Sequence, residues 1–138
     1  MTGKTQQPFS HVHIVGTGLL GTSAGLALRE RGVEVTLEDV SPSSLSLAED
    51  YGAGVRRGSE HPDPELVIVA TPPDVVAEVV LRALEAFPTA IVIDVASVKA
   101  GIARDVAASS SHSARFVPTH PMAGRERGGA VSGRSDLF

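Results

Sequence analysis

Cysteine is absent from this chain of 138 residues, so neither a disulfide framework nor a thiolate metal site can form. A basic cluster is also missing. The 12 Lys and Arg residues against 16 Asp and Glu give a net charge of −4, which argues against nucleic acid or an anionic membrane as the main partner. These two absences leave few partners other than small molecules.

Long hydrophobic runs are missing as well. The longest, such as residues 66–70, are far too short to cross a bilayer. The first ten residues lack the apolar core of a signal peptide and are predicted to form a flexible tail, so the cytoplasm is the default location. Residues 11–138 have the length of one domain, and 42% of the chain is hydrophobic, which is enough for a real core.

From residue 11 onward, short β-branched runs alternate with stretches of helical length. In the first such stretch, Leu20, Ala24, Ala27 and Leu28 have the spacing of one buried helix face. Regular alternation predicts a parallel sheet with right-handed crossovers, and continuous Val and Ile runs are typical of strands buried on both faces. The sequence therefore predicts an α/β fold with a doubly wound parallel sheet of the Rossmann type. The predicted strands are residues 11–15, 33–37, 54–56, 66–70, 90–95 and 116–117, and the predicted helices are residues 19–31, 41–51, 73–86 and 98–108.

A glycine-rich turn joins the first predicted strand to the first predicted helix. Gly16 allows a tight turn, Gly18 lets the backbone approach a pyrophosphate, and Gly21 lets helix and strand pack closely. Leu19 and Leu20 open the helix, whose N-terminus supplies free N–H groups and the positive end of its dipole. The spacing alone is common, but its place between strand and helix predicts dinucleotide binding.

An acidic residue ends the second predicted strand, eighteen residues after Gly21. We expect the Asp39 carboxylate to bind the adenosine ribose hydroxyls and to repel a 2′-phosphate. Glu38 adds a second negative charge, although it is itself expected to be a solvated strand end. Since Val40 follows, rather than an arginine that would accept the phosphate, NAD is favoured over NADP.

Two further strand ends are expected at the same edge of the sheet, where ligands bind to parallel α/β folds. Thr71, Pro72 and Pro73 follow one strand, and the prolines are expected to fix a rigid turn against the dinucleotide while also starting a helix. Ser97 follows the next strand and could cap a helix or face the nicotinamide. Asp94 is expected to satisfy backbone donors.

A histidine follows the last short apolar run, in the segment Pro118-Thr119-His120-Pro121. At the end of a strand in a dinucleotide-binding sheet, His120 can lie where nicotinamide meets substrate, the alternative being an inert surface loop. His11 and His13 share one face of the first strand without a carboxylate or cysteine cluster, so no metal site is expected. Arg56 and the arginine after it are expected to be a solvated pair.

Three motifs occur in order along the chain: Gly16-Thr17-Gly18-Leu19-Leu20-Gly21, Asp94-Val95-Ala96-Ser97-Val98-Lys99 and His120-Pro121-Met122-Ala123-Gly124-Arg125-Glu126. On these motifs the chain resembles the prephenate/arogenate dehydrogenases of tyrosine biosynthesis, from about residue 11 to its end. The glycine turn is shared by many dehydrogenases, whereas the second and third motifs together are far more specific.

The resemblance implies an NAD-dependent oxidative decarboxylation, in which hydride goes to NAD⁺ and the substrate ring loses CO₂ and becomes aromatic. His120 would take the proton of the ring hydroxyl, which suits a histidine because its pKa lies near neutrality. Ser97 would hydrogen-bond the same hydroxyl and help to hold the histidine. Glu126 falls where the family lines the mouth of the substrate pocket.

One departure from the family is large. Its members carry a second, mostly helical domain that supplies the dimer interface and a basic residue for the substrate, whereas this chain stops at Phe138. We therefore expect the cofactor-binding half of an enzyme, inactive alone and dimeric only with the helical domain. The alternatives are a stand-alone NAD-binding regulatory module, which has no need of both Ser97 and His120, and an NAD(P) dehydrogenase of the 3-hydroxyacid type.

Overall fold

The computed structural model describes residues 8–97, 100–109 and 111–119. Short 3₁₀ turns lie at Pro73–Val75 and Ser113–Arg115. The strands are β1 (His11–Val15), β2 (Glu34–Glu38), β3 (Val55–Arg56), β4 (Leu66–Val69), β5 (Ile91–Asp94) and β6 (Phe116–Pro118), and the helices are α1 (Leu19–Glu30), α2 (Pro42–Asp50), α3 (Val76–Ala86) and α4 (Ala100–Ser109).

The six strands form one sheet in the order β3-β2-β1-β4-β5-β6, and every neighbouring pair is parallel. This is the strand order of dinucleotide-binding folds, so the predicted fold class is confirmed. The order reverses beside β1, whose Val12 pairs with Val35 of β2 on one side and with Leu66 of β4 on the other. Ligands bind outside the carboxyl ends of the strands at such a reversal.

Helix α1 packs on the sheet through small residues. Its buried positions are Gly21, Thr22, Ser23 and Gly25, whereas the face predicted from Leu20, Ala24, Ala27 and Leu28 is only half-buried. A Cβ on Gly25 would lie 2.3 Å from the carbonyl oxygen of Ala53, so the helix approaches the chain after α2 too closely for a larger side chain. Ala24 and Leu28 of the predicted face do pack against the core while only half-buried, so the predicted face of α1 is confirmed in part and omits the buried glycines.

The ends of the sheet are tied down by polar contacts. Phe9, inside the segment predicted to be a tail, packs against the core, and the Ser10 amide donates to the Glu65 carboxylate at 2.8 Å. At the other edge, the Arg115 guanidinium donates to the carbonyl oxygens of Leu84 (2.6 Å), Phe87 (2.9 Å) and Ala90 (2.8 Å). Of these carbonyls, that of Leu84 belongs to the last turn of α3, where it lacks an intrahelical donor; the other two lie in the loop between α3 and β5.

No helix lies between β3 and β4. Arg57, in this connection, donates to the Pro62 carbonyl at 3.0 Å, and its guanidinium carbon lies 5.0 Å from the centre of the Phe87 ring. Arg56 donates to the Glu49 carboxylate at 2.9 Å. The Arg56 side chain is 56% exposed and therefore solvated as predicted, whereas the Arg57 side chain is only 19% exposed, so the prediction is wrong for Arg57.

Candidate functional site

The three glycines of the turn have different surroundings. Gly16 has a φ of +103°, and a Cβ there would lie 2.4 Å from the carbonyl oxygen of Ala70. A Cβ on Gly21 would lie 1.9 Å from the carbonyl oxygen of Gly16, whereas one on Gly18 would meet no atom within 4 Å. Gly16 and Gly21 are therefore required by the packing of the turn, and Gly18 leaves open space above it.

The N-terminus of α1 opens onto that space. Gly18 is the N-cap residue and no side chain caps it, so the first-turn N–H groups that follow, among them those of Leu19 and Leu20, lack intrahelical acceptors. Across the turn, the hydroxyl oxygen of Thr71 at the end of β4 is buried without a hydrogen-bond partner among the described residues. Unsatisfied donors beside the positive end of a helix dipole suit a phosphate.

Asp39, just past β2, holds the turn. One carboxylate oxygen accepts from the backbone N–H of Thr17 at 2.7 Å and from its hydroxyl at 2.7 Å, and the other accepts from the Ser41 N–H at 2.8 Å. A carboxylate has about four acceptor positions, so roughly one remains for a ribose hydroxyl. Thr17 is fully buried and was not predicted as a site residue, although it lies between two predicted ones.

The side chain of Val40, the next residue, is fully exposed, with a relative exposure of 101%. Pro72 and Pro73, which follow Thr71, are also exposed, and Pro73 begins the 3₁₀ turn before α3. The ends of β2 and β4 thus present an apolar side chain, a pair of prolines and an unpaired hydroxyl beside the glycine turn.

Asp94 ties the end of β5 to the end of β6. Its buried carboxylate accepts from the Ala96 N–H at 3.1 Å and from the Thr119 N–H at 3.3 Å, and the Thr119 hydroxyl donates to the Asp94 carbonyl. The prediction that Asp94 satisfies backbone donors is confirmed. Ser97 lies exposed after β5. His120, next to Thr119, and Glu126 lie outside the described residues.

A cleft of about 450 Å³ is lined by Asp39 and by residues of β1, β2 and α3. Its polar lining includes His13, Glu38 and Arg82. Glu38 is not simply a solvated strand end, because one of its carboxylate oxygens lies 3.4 Å from His13 Nε2. That hydrogen bond lowers the pKa of Glu38 below its usual value, against the opposing effect of partial burial.

Among the residues that the structure describes, no group of three His, Asp or Glu side chains is placed to hold a metal ion. Within this part of the chain, no helix is long and apolar enough to span a membrane. Among the described residues, the polar groups that this site offers to a ligand lie at the carboxyl edge of the sheet.

The geometry can be compared with known proteins. Residues 24–138 match the family model described as prephenate dehydrogenase, nucleotide-binding domain. The chain belongs to this family. It is 41% identical to the probable prephenate dehydrogenase NovF of Streptomyces niveus over 126 residues, which are 91% of this chain and 34% of the relative.

Solved structures of the family agree in fold. The chain is similar to prephenate dehydrogenase from A. aeolicus, crystallised with hydroxyphenyl propionate and NAD⁺, with a TM-score of 0.82 and 28% identity over 97% of this chain and 49% of that one. It is also similar to Synechocystis arogenate dehydrogenase, with a TM-score of 0.79 and 27% identity over 93% and 46%. The chain thus spans a third to a half of the length of these dehydrogenases.

Proposed function

We propose that this chain is the NAD-binding half of a dehydrogenase acting on prephenate or arogenate, in the formation of tyrosine. The observation that carries the proposal is the open space at Gly18, which an uncapped helix N-terminus and the unpaired Thr71 hydroxyl border. These groups fit a dinucleotide pyrophosphate and have no other partner among the described residues. Family membership favours this function over a regulatory module or a dehydrogenase of the 3-hydroxyacid type.

The residues at the end of β2 would hold the adenosine. Asp39 retains an acceptor position for a ribose hydroxyl, and exposed Val40 offers an apolar surface to the base. The two carboxylates of Glu38 and Asp39 disfavour a 2′-phosphate, so NAD is the expected cofactor. Thr71, Pro72 and Pro73 would lie against the dinucleotide from the end of β4.

The chemistry would take place beyond the ends of β5 and β6. Bound NAD⁺ supplies the hydride acceptor. His120 would accept the proton of the substrate hydroxyl, Ser97 would hydrogen-bond that hydroxyl, and Glu126 would line the mouth of the substrate pocket. The hydrogen bonds between Asp94 and Thr119 support this assignment, because they hold the residue before His120 against the end of β5.

The whole reaction requires more than this chain. The crystallised relatives are about twice its length, and a helical domain would supply the dimer interface and the binding group for the substrate carboxylate. We therefore expect the isolated chain to bind NAD⁺ with little turnover and without stable dimers. The names of the solved relatives support prephenate and arogenate equally as the substrate.

Cofactor binding is tested by calorimetric titration of the isolated chain with NAD⁺ and NADP⁺. We expect NAD⁺ to bind more tightly. Gly18→Val should abolish binding while the protein stays folded, because its Cβ meets no protein atom within 4 Å. The matched control is Gly101→Val on α4, where a Cβ also meets nothing. Equal affinity in wild type and Gly18→Val would mean that the turn is only structural.

Catalysis is tested in a chain joined to the helical domain of a complete relative, with prephenate and arogenate as alternative substrates. His120→Asn should lower kcat by about 10²–10⁴, the contribution of a general base, and should leave NAD⁺ affinity unchanged. Ser97→Ala should have a smaller effect, since a neutral hydrogen bond contributes roughly 0.5–1.5 kcal/mol. A kcat within a few-fold of wild type in His120→Asn would assign that histidine to an inert loop.

A further inference from the structure

Asp94 is the last residue of β5 and is completely buried. One oxygen of its carboxylate accepts from the backbone N–H of Ala96 at 3.1 Å, and the other accepts from the backbone N–H of Thr119 at 3.3 Å. Ala96 immediately precedes Ser97, and Thr119 immediately precedes His120. A single carboxyl group thus holds the neighbours of both side chains that are proposed to bind the substrate hydroxyl.

Side-chain contacts continue the pairing of β5 and β6 where the backbone ladder stops. Pro118 pairs with Asp94 in the sheet but has no backbone N–H to donate. One residue later, the Thr119 hydroxyl donates to the Asp94 carbonyl oxygen, while the Thr119 N–H donates to the carboxylate. Asp94 and Thr119 are therefore joined through both the main chain and the side chain of each residue.

The backbone that carries this carboxylate is itself fixed. Asp94 pairs with Val69 of β4 on its other side, and the N–H of Val95 donates to the Val69 carbonyl oxygen at 3.2 Å. The side chain thus extends from between two strands toward the two loops. Such placement matters for the proposed reaction, because a displacement of about 1 Å can lower the rate of an enzyme by on the order of 10².

Resting on the proposed function, we propose that Asp94 is a positioning residue for the proton transfer and that Thr119 is its partner. The buried carboxylate sets the distance between the loop that carries Ser97 and the loop that carries His120. Both loops must be held at once, since the two side chains would meet on one hydroxyl group of the substrate. The role requires two acceptor oxygens, and an asparagine has only one.

The first experiment needs neither cofactor nor substrate, because it measures amide hydrogen exchange of the isolated chain by NMR. The amides of Ala96 and Thr119 should exchange slowly in wild type. Asp94→Asn leaves one acceptor oxygen, so at least one of these two amides should exchange at least about tenfold faster, as expected when a hydrogen bond to a charged acceptor is lost. Unchanged exchange at both amides would overturn the proposal.

The second experiment measures kcat, KM and the Kd for NAD⁺ in the chain joined to a helical domain. Asp94→Asn should lower kcat by on the order of 10–10². Thr119→Val keeps the carboxylate, so it tests the same role even if Asp94→Asn does not fold, and should lower kcat about three- to tenfold. Thr119→Ser keeps the hydroxyl and should stay within about twofold of wild type. A wild-type kcat in Thr119→Val would contradict the proposal.

The Kd for NAD⁺ should stay within about twofold of wild type in these variants, because the groups that would bind its pyrophosphate and ribose lie at the glycine turn and at the ends of β2 and β4. Thr36→Val is the matched control. It removes a buried hydroxyl of β2 that lies 3.1 Å from His11 Nε2 and 2.9 Å from His13 Nδ1. This change should leave kcat unchanged even where it lowers the Tm.

A third measurement separates positioning from a general loss of structure. In a chain that already carries Ser97→Ala and His120→Asn, Asp94→Asn has no reactive side chain left to position. It should then change kcat less than about twofold, because residues that act as a unit are not additive. A further decrease as large as that in wild type would show that Asp94 acts through stability alone and would overturn the proposal.

The two proposals fail in different ways. If the joined chain oxidises neither prephenate nor arogenate, or if His120→Asn and Ser97→Ala both keep the wild-type kcat, the proposed function is wrong as assigned. If those two variants lose activity while Asp94→Asn and Thr119→Val keep the wild-type kcat, the proposed function stands and the positioning role is wrong.

Discussion

Replacement of Asp39 by asparagine separates two roles of this side chain, in holding the glycine turn and in binding ribose. The carboxylate accepts three hydrogen bonds from the protein, at 2.7, 2.7 and 2.8 Å. An asparagine oxygen can keep the two bonds from Thr17, but its NH₂ group must then face the N–H of Ser41. Two donors cannot pair, so the Ser41 N–H loses its partner.

The loss of stability in Asp39→Asn can be calculated from these three hydrogen bonds. Hydrogen bonds to charged acceptors contribute about 1.5–3 kcal/mol and neutral ones roughly 0.5–1.5, and an unsatisfied N–H costs up to about 3 kcal/mol when fully buried. Because Asp39 is only half-buried, we expect Asp39→Asn to lower the free energy of unfolding by about 2–4 kcal/mol.

Urea denaturation without cofactor measures this loss, and NAD⁺ titration of the same variant measures the ribose contribution. Asp50→Asn, at an exposed residue of α2, is the matched control and should leave both quantities unchanged. If Asp39→Asn keeps its free energy of unfolding within about 0.5 kcal/mol of wild type, the three hydrogen bonds do not organise the turn and the reasoning is refuted.

Three further changes test the packing and the electrostatics. Gly21→Ala should lower the free energy of unfolding by about 3 kcal/mol, because its Cβ would lie 1.9 Å from a backbone oxygen. Gly101→Ala should not lower the free energy of unfolding. Urea denaturation of the two variants measures the difference. Arg115→Met should lower the free energy of unfolding by about 3 kcal/mol, because three carbonyls lose a charged donor. Arg115→Lys should recover part of this stability. A Tm equal to wild type in Arg115→Met would contradict the stabilising role of these hydrogen bonds. Burial first, and then the charge of Arg57, lower the pKa of His11 below its ordinary 6.5, against the opposing charge of Glu34. As the pH falls below about 6.5, the unfolded chain therefore takes up a proton at this residue that the folded chain does not. The free energy of unfolding should decrease in that window, and His11→Val should flatten the decrease when denaturation is repeated at several pH values.

The parallel α/β sheet followed from the sequence because short β-branched runs alternate with stretches of helical length. The packing of α1 followed only in part. Ala24 and Leu28 of the predicted face do pack against the core, but the helix also presents Gly21 and Gly25 to the rest of the domain. Hydrophobic spacing alone does not predict where a helix backbone comes close to its neighbour. Such close approach is indicated by glycines, which have no side chain.

At the site, the roles tied to local geometry were predictable and the pairings between distant residues were not. The tight turn at Gly16 and the close packing at Gly21 depend on neighbours along the chain and follow from their spacing. His13 meets Glu38 across the neighbouring strands β1 and β2, and Arg57 reaches Phe87 from the connection between β3 and β4. A lone histidine or arginine in the sequence carries no signal of such a partner.

The position of Thr119, just after β6, depends on contacts outside that strand. β6 has only three residues and lies at the edge of the sheet, so its own ladder holds it weakly. Arg115 fixes its beginning to the end of α3, and Asp94 fixes Thr119 just after its end. Arg115 acts at the beginning of β6, whereas Asp94 belongs to the neighbouring strand β5 and acts just after the end of β6. Because both must hold for the chain to leave the sheet at one place, a change at Arg115 should disturb the site as well as the stability.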